Sequence, residues 1–583
     1  MIRWLFLLAA TPAFGAVSIS PTYVQMTPGQ TLQFNAAGAS GVIWQVNNGI
    51  GGTAASGTIT AGGLFTAPAT LPSPAAVTVT AVDPANGADT ATATVTLLAQ
   101  LPAGTTWYVA TTGSDSNPGT QAEPFATIQH AATVAQAGDT VLVAGGVYNA
   151  LITPPNSGNT KAGPITFMSM PGQTAVVDGT GLTIPHGQWG LLTLNGISDV
   201  IFEGFQFQNY STNSDKDVPI GIYITGAGSG VQIINNHIEN IVTTGPANPH
   251  DCASDALGMA VYGNQAPASI SALVISGNEL DHLVTGCSES MTVNGNVDGF
   301  AITSNLVHDN NNIGIDAIGF EKVSKNPAYD QARNGEIRGN TVYNITSYGN
   351  PDYGKQYAAD GIYVDGGTQI VIEQNAVYNV DLGIELASEH KGHVTSYVTA
   401  RNNLVYFDNS NGISIGGYGA ARGGTDHCTI VNNTTFGNDT KNTGSGEFQI
   451  QFYATNNIYQ NNIAYATTQG LLVHNFTTTE ADPAVMDYNL YFSAGNANAA
   501  IFQWDKKIYK GFQSYQQATG QDPHSQFADP EFDSLTVPGL DLQSGSPAFN
   551  AGTNLGNAVL GNFDYAGNAR VSGNGVTVEA YQQ

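Results

Sequence analysis

Short apolar runs alternating inward and outward positions recur along the middle of this chain, each flanked by a tight turn. GIDAI at 314–318, GIYVD at 361–365, GIELA at 383–387 and GISIG at 412–416 carry Ile, Val or Leu on one side and polar residues on the other. Period two over so few residues predicts β-strands, and runs of 3.6-residue period are missing between them. An asparagine returns at the turn out of a strand, as Asn236, Asn278, Asn305, Asn340, Asn375, Asn403, Asn433 and Asn462, at intervals of 27 to 42 residues. That spacing is too short and too strand-rich for helical repeats, and predicts the stacked coils of a parallel β-helix. An asparagine at the same turn of every coil can bond the turns above and below it, so the repeated amide reads as an internal structural ladder.

Composition agrees with an elongated all-β body. Glycine is 69 of 583 residues and charged residues only 10%, which suits many tight turns rather than helical surfaces. The formal charge of −28 argues against nucleic acid and anionic membranes as partners. LFLLAA at 5–10 followed by AFGA at 13–16 predicts a signal peptide over 1–16, hence a secreted protein, extracellular or periplasmic. No later run is apolar and long enough to span a bilayer, and a monomer is expected. Cys252 and Cys287 fall in neighbouring coils, where they can be disulfide-bonded or remain buried thiols alongside Cys428.

Residues 17–99 differ from the rest. Turn clusters at 27–29 and 61–63, a lone Trp44 and the alternating strands at 77–80 and 91–96 predict a small β-sandwich. The segments ISPTYVQMTPGQTLQF and WQVNNGIGGTAASGTITAGGLFTAPA resemble the bacterial Ig-like domain. A linker is expected over 100–106. From Trp107, the stretch YVATTGSDSNPGTQAEPFATIQHAATVAQAGDTVLVAGGVYN resembles the N-terminal cap and first coil of secreted right-handed parallel β-helix proteins of the pectin-lyase type. A capping helix is expected near 128–135, and DLQSGSPAFNAGTNLG and DYAGNAR resemble the closing segment of the same proteins. The resemblance implies a right-handed parallel β-helix over 107–520 and closing coils or a cap over 521–583.

Aligning the Gly-Ile strands points Asp316, Tyr363, Asp365 and Glu385 outward on one exposed face. Neighbouring coils lie ~4.8 Å apart, so the Cα atoms of Asp365 and Glu385 are expected about 8 Å from each other. Clustered carboxylates repel unless they bind a cation or share a proton. Eight of the 16 Lys and Arg residues fall between 322 and 422, Arg333, Lys391, Arg401 and Arg422 among them, which predicts an anion-binding cleft over about 314–427. Tyr363, His390, Tyr418, Arg333 and Arg401 are the candidates for holding a sugar chain.

The order of GIELASEHKG at 383–392 and GGYGAARGGTDH at 416–427 resembles β-helix alginate and chondroitin lyases. The resemblance implies Glu385 as a Ca²⁺ ligand, Lys391 as the base and Arg422 as the acid or charge stabiliser. Gly383 stands where a second acidic ligand belongs, so Asp365 and Asp316 would supply the missing oxygens. A Ca²⁺-assisted lyase acting on a uronate-containing extracellular polysaccharide is the leading expectation. A glycoside hydrolase using the same carboxylates is the alternative, and a glycan-binding or adhesion protein without catalysis is the third. The Asn-Thr-Asp and Gly-His-Gly signatures of pectin hydrolases are not in the chain.

Overall fold

The computed structural model describes residues 17–582 except 21–22, 27, 38–40, 73–74, 85–89, 98–103, 186, 246–251, 253, 468, 478–481, 495–499, 536–539 and 572–574. The predicted signal peptide and most of the predicted linker lie outside the described residues. The chain separates into two compact units between Pro102 and Ala103.

The first unit is a small β-sandwich. Strands Thr90–Leu97, Ala76–Val82 and Ile43–Val46 pair antiparallel in a five-stranded sheet, and a four-stranded sheet holds Thr31–Gln33 and Leu64–Thr66. Phe34, Trp44, Phe65, Val79 and Val95 form its core, with the rings of Phe34 and Phe65 edge to face at 6.2 Å.

The second unit is a parallel β-helix whose three long sheets hold 17, 13 and 12 strands among the described residues. Its interior is a continuous stack of Ile, Val, Leu and Phe, for instance Ile315, Ile362, Ile384, Ile413 and Phe448 on successive rungs. The helix Ile128–Val134 closes the first coil, and Thr127 caps it by accepting from the amide of His130. This cap covers apolar interior that an open first coil would expose.

The repeated asparagines form a buried ladder. From Asn278 onward, each side-chain oxygen accepts from both the backbone and the side-chain nitrogen of the asparagine one coil earlier, as Asn375 does from Asn340 at 2.9 and 3.0 Å. Each side-chain nitrogen also donates to a strand carbonyl, as Asn375 does to Ile337 at 2.9 Å. The ladder runs one coil further than the sequence motif indicates, to Asn489.

The C-terminal end differs from expectation. The far end of the core is closed by the helix Phe512–Thr519, whose Tyr515 stacks on Phe502 at 4.6 Å. The later segment lies along the outer face of the 13-stranded sheet, packing Leu540, Leu542 and Tyr581 against Tyr406, Phe436 and Tyr465. Those strands carry aromatic residues on their outer face, which need covering as much as the open end does.

Candidate functional site

Parallel register on the 12-stranded sheet stacks Thr292, Asp316, Tyr363, Glu385, Ser414 and Gln449 into one outward column. Asp365 stands two residues along its strand from Tyr363 and pairs with Ala387. The column is not an exposed face. Asp316, Tyr363, Asp365 and Glu385 are only 2 to 4% exposed, because the turns between strands fold back over them. Gln356, Tyr357 and Ala358 wall one side, and Cys252, Asp255, Cys287, Glu289, Glu321 and Val323 the other.

These walls leave a cleft with two lobes meeting at Ile313, Tyr353, Tyr363 and Glu389, which line both. One lobe, about 370 Å³, is aromatic: Tyr357, Tyr418 and Phe476 line it beside Asp360, Glu385 and Gln451. The other, about 440 Å³, is acidic, lined by Asp255, Glu289, Asp316, Glu321, Asp365 and Glu389. The disulfide between Cys252 and Cys287 borders it.

So many carboxyl groups in so little water hold protons that free carboxyls would lose. Burial pushes Glu385 up to about 7, against the hydrogen bond it accepts from Gln451 at 2.7 Å. Asp360 is raised by burial and by Glu385, to which it hydrogen-bonds, so this pair shares a proton. Asp316 is raised by burial and then by Glu289 and Asp365. Glu289 goes up to about 8 through burial and its neighbours Glu321 and Asp255. Asp365 is raised by burial and by Glu389, although its Oδ1 accepts from the Glu389 amide at 2.7 Å.

Glu389 has the strongest brace. Burial raises it, but Arg422 at 3.6 Å and the Tyr418 hydroxyl at 3.2 Å pull it back towards the ionised form. Arg422 in turn lies 4.6 Å above the Tyr418 ring. Several buried polar atoms around the cleft have no partner, among them Asp316 Oδ1, Asn294 Oδ1, Asp360 Oδ1, the Tyr363 hydroxyl and Gln451 Oε1. Unsatisfied buried polar groups are rare, and their concentration here makes the cleft the candidate site.

Asp316, Tyr363, Asp365, Glu385 and Tyr418 all line the cleft. Lys391 does not; it is exposed in the turn beyond Glu389 and belongs to neither lining. His390 is half-buried, with Nδ1 unpartnered, and also lies outside both linings. Arg333 and Arg401 require a larger correction. Both lie on the 17-stranded sheet. Arg333 pairs with Asp298 at 3.0 Å, while Arg401 pairs with Glu373 at 2.6 Å and donates to the carbonyls of Ala558 and Val559. One coil visits three faces, so basic residues close in sequence are dispersed around the body instead of forming one anion-binding cleft.

The proposed calcium ligands also separate. Asp316 and Asp365 face the acidic lobe, Glu385 the aromatic one. A calcium ion needs oxygens converging at about 2.3–2.6 Å from one centre. Among the described residues, the one group of three His, Cys, Asp or Glu side chains with ligand atoms within 4.8 Å of one another is His237, Glu279 and Asp281, on the 13-stranded sheet. The set Asp316, Asp365 and Glu385 therefore does not fit the ion. Sequence reasoning missed Glu389, Asp360, Glu289, Glu321 and Asp255. Glu389 stood in the quoted run GIELASEHKG, and its place two residues before Lys391 was the available signal.

The family model of the Pel9A-like right-handed β-helix region matches residues 107–301. The uncharacterized protein YwoF of Bacillus subtilis (strain 168) is 39% identical over 449 residues, covering 76% of this chain and 92% of the relative. The chain belongs to the YwoF family. Among solved structures, pectate lyase Pel9A is 15% identical at a TM-score of 0.44, covering 83% of this chain and 97% of that one. XylC in complex with xylose is 13% identical at 0.46, covering 82% and 98%. No helix among the described residues is long and apolar enough to cross a membrane.

Proposed function

We propose that the protein is a secreted glycoside hydrolase that cleaves an extracellular polysaccharide in the two-lobed cleft, with Asp365 and Glu389 as its carboxyl pair. The observation that carries this reading is the position of Glu389. It stands where the lobes meet, braced by Arg422 and Tyr418 and tied through its amide to Asp365. A sugar chain lying through both lobes would present one linkage at that junction.

The chemistry follows from the two environments. Asp365 is the more enclosed and keeps its proton, so it serves as the acid that protonates the departing sugar oxygen. Glu389, favoured in its ionised form by Arg422 and the Tyr418 hydroxyl, attacks the sugar carbon or activates water. Asp360 and Glu385, sharing a proton, hydrogen-bond sugar hydroxyls in the aromatic lobe, where Tyr357, Tyr418 and Phe476 offer ring faces for stacking.

Lyase chemistry on a uronate is less well supported. Lys391 lies outside both linings. The Tyr363 hydroxyl, on the same column, is pushed up by burial and by Asp365 and Glu385, the wrong direction for it to take a base's place at neutral pH. The chain's formal charge of −28 would also oppose a polyuronate.

The test is to incubate the protein with neutral, amino and uronate polysaccharides, with and without EDTA, reading new reducing ends beside the ultraviolet absorbance of unsaturated products. Reducing ends without absorbance, insensitive to EDTA, are expected. Absorbance abolished by EDTA would overturn the hydrolase reading in favour of the lyase.

A further inference from the structure

The two lobes offer a sugar chain different chemistry. The aromatic lobe presents ring faces and a proton-sharing carboxyl pair, which suit hydroxyl groups and uncharged sugar rings. The acidic lobe is walled by Asp255, Glu289, Asp316, Glu321, Asp365 and Glu389, and its lining contains no Lys, Arg or His among the described residues.

Two of its polar atoms lack any partner although their residues are almost fully buried: Asp316 Oδ1, on a residue 2% exposed, and Asn294 Oδ1, on a residue 1% exposed. The Asn294 side-chain nitrogen is already committed to Glu321 Oε2 at 3.3 Å. What Asn294 turns to the lobe is therefore an oxygen that can only accept. The lobe has no positive charge of its own, and both of these buried oxygens are left without a partner.

A bare metal ion answers that need poorly. No three carboxylates of the lobe bring their oxygens within 4.8 Å of one another. They are spread around some 440 Å³, the volume of an organic group rather than a single ion. A sugar ring bearing an ammonium group fits better. Its three N–H donors satisfy separate oxygens, its charge offsets the carboxylates, and its ring fills the space.

We infer that the acidic lobe recognises an amino sugar in its ammonium form, so that the polysaccharide cleaved is one with free, unacetylated amino groups. The inference rests on the proposed hydrolase cleft and names the substrate class of that same site. The protons that burial and like-charge crowding hold on Asp316 and Glu289 are exchanged for the ammonium charge on binding. The whole chain, at −28, adds attraction for such a polycation.

The test is titration calorimetry of the full chain with the β-1,4-linked glucosamine dimer and with its fully N-acetylated counterpart, repeated for Glu289→Gln/Glu321→Gln. Neither glutamate is part of the catalytic pair. The free-amine dimer is expected to bind at least tenfold more tightly than the acetylated one. That preference should fall below threefold in the double variant and weaken with added salt. Should the double variant not fold, Glu321→Gln alone, on an exposed side chain, reads out the same preference. Equal or tighter binding of the acetylated dimer, a preference retained in the variant, or stoichiometric Ca²⁺ binding that excludes the amine would overturn the inference. Amine preference without cleavage of any glycan would leave it standing and sink the hydrolase reading. Cleavage of neutral glycans with no amine preference would do the reverse.

Discussion

Two columns of buried polar side chains run along the same β-helix and behave in opposite ways. In the asparagine ladder from Asn236 to Asn489, the side-chain oxygens accept from the preceding coil and the side-chain nitrogens donate to strand carbonyls. In and beside the cleft column, Asp316, Tyr363 and the neighbouring Asp360 keep polar atoms without partners, and carboxyl groups crowd one another. Burial alone does not distinguish them, since Asn375 is 0% and Asp316 2% exposed. Satisfaction does. A fully paired polar column stabilises the fold, whereas an unpaired, like-charged one costs stability that only a ligand recovers.

The contrast is sharpest under substitution. Asp365→Asn or Glu389→Gln should lower turnover about 10²- to 10⁴-fold with no loss of thermal stability, measured as initial rates beside melting curves. Asn375→Ala should do the opposite. It orphans the donors of Asn340 and the Ile337 carbonyl, costing about 3 kcal/mol in denaturant unfolding while the folded fraction keeps its turnover number.

The pH dependence of stability offers a second separation. Glu385 and Glu289 have folded-state pKa values raised to about 7 and about 8. Raised carboxyls bind protons in the native state that the unfolded chain has released, so stability falls as pH rises from the ordinary carboxylate range through pH 7 to 8. The melting temperature should therefore decline over that window, and Glu385→Gln or Glu289→Gln should flatten the decline. Asparagine-ladder variants should shift the whole curve downward without changing its slope.

Smaller effects concern the rim. Arg422→Gln removes the charge that lowers Glu389, so the acid limb of the rate profile should move to higher pH with about a tenfold loss at low pH. Arg422 is 42% exposed and should cost under about 0.5 kcal/mol in stability. Lys391→Ala should change neither turnover nor melting measurably. A large loss of turnover there would revive the lyase reading.

Much of this was legible in the chain. The Gly-Ile alignment puts Asp316, Tyr363 and Glu385 on one column in the register that the strands adopt, because inward apolar residues allow only one phase of the pleat. The asparagine turns were readable for a similar reason, a side chain repeating once per coil. What could not be read was the path of the turns. Whether a residue between strands covers the column or points away depends on loop conformation, which has no period. Exposed carboxylates were therefore expected where the walls of the cleft bury them, and Glu289, Glu321 and Glu389 went unrecognised. Charge clustering in sequence misled for Arg333 and Arg401, since a coil of about 30 residues carries neighbours to different faces.

The account rests on the claim that the unpaired carboxyls of the cleft serve chemistry rather than folding. The most direct measurement compares Asp365→Asn with wild type for both turnover and melting temperature at neutral pH. Turnover reduced at least a hundredfold, with a melting temperature equal to or above that of wild type, is the predicted result. Retained turnover, or a melting temperature lowered as far as Asn375→Ala lowers it, would contradict the account and place Asp365 with the structural asparagines.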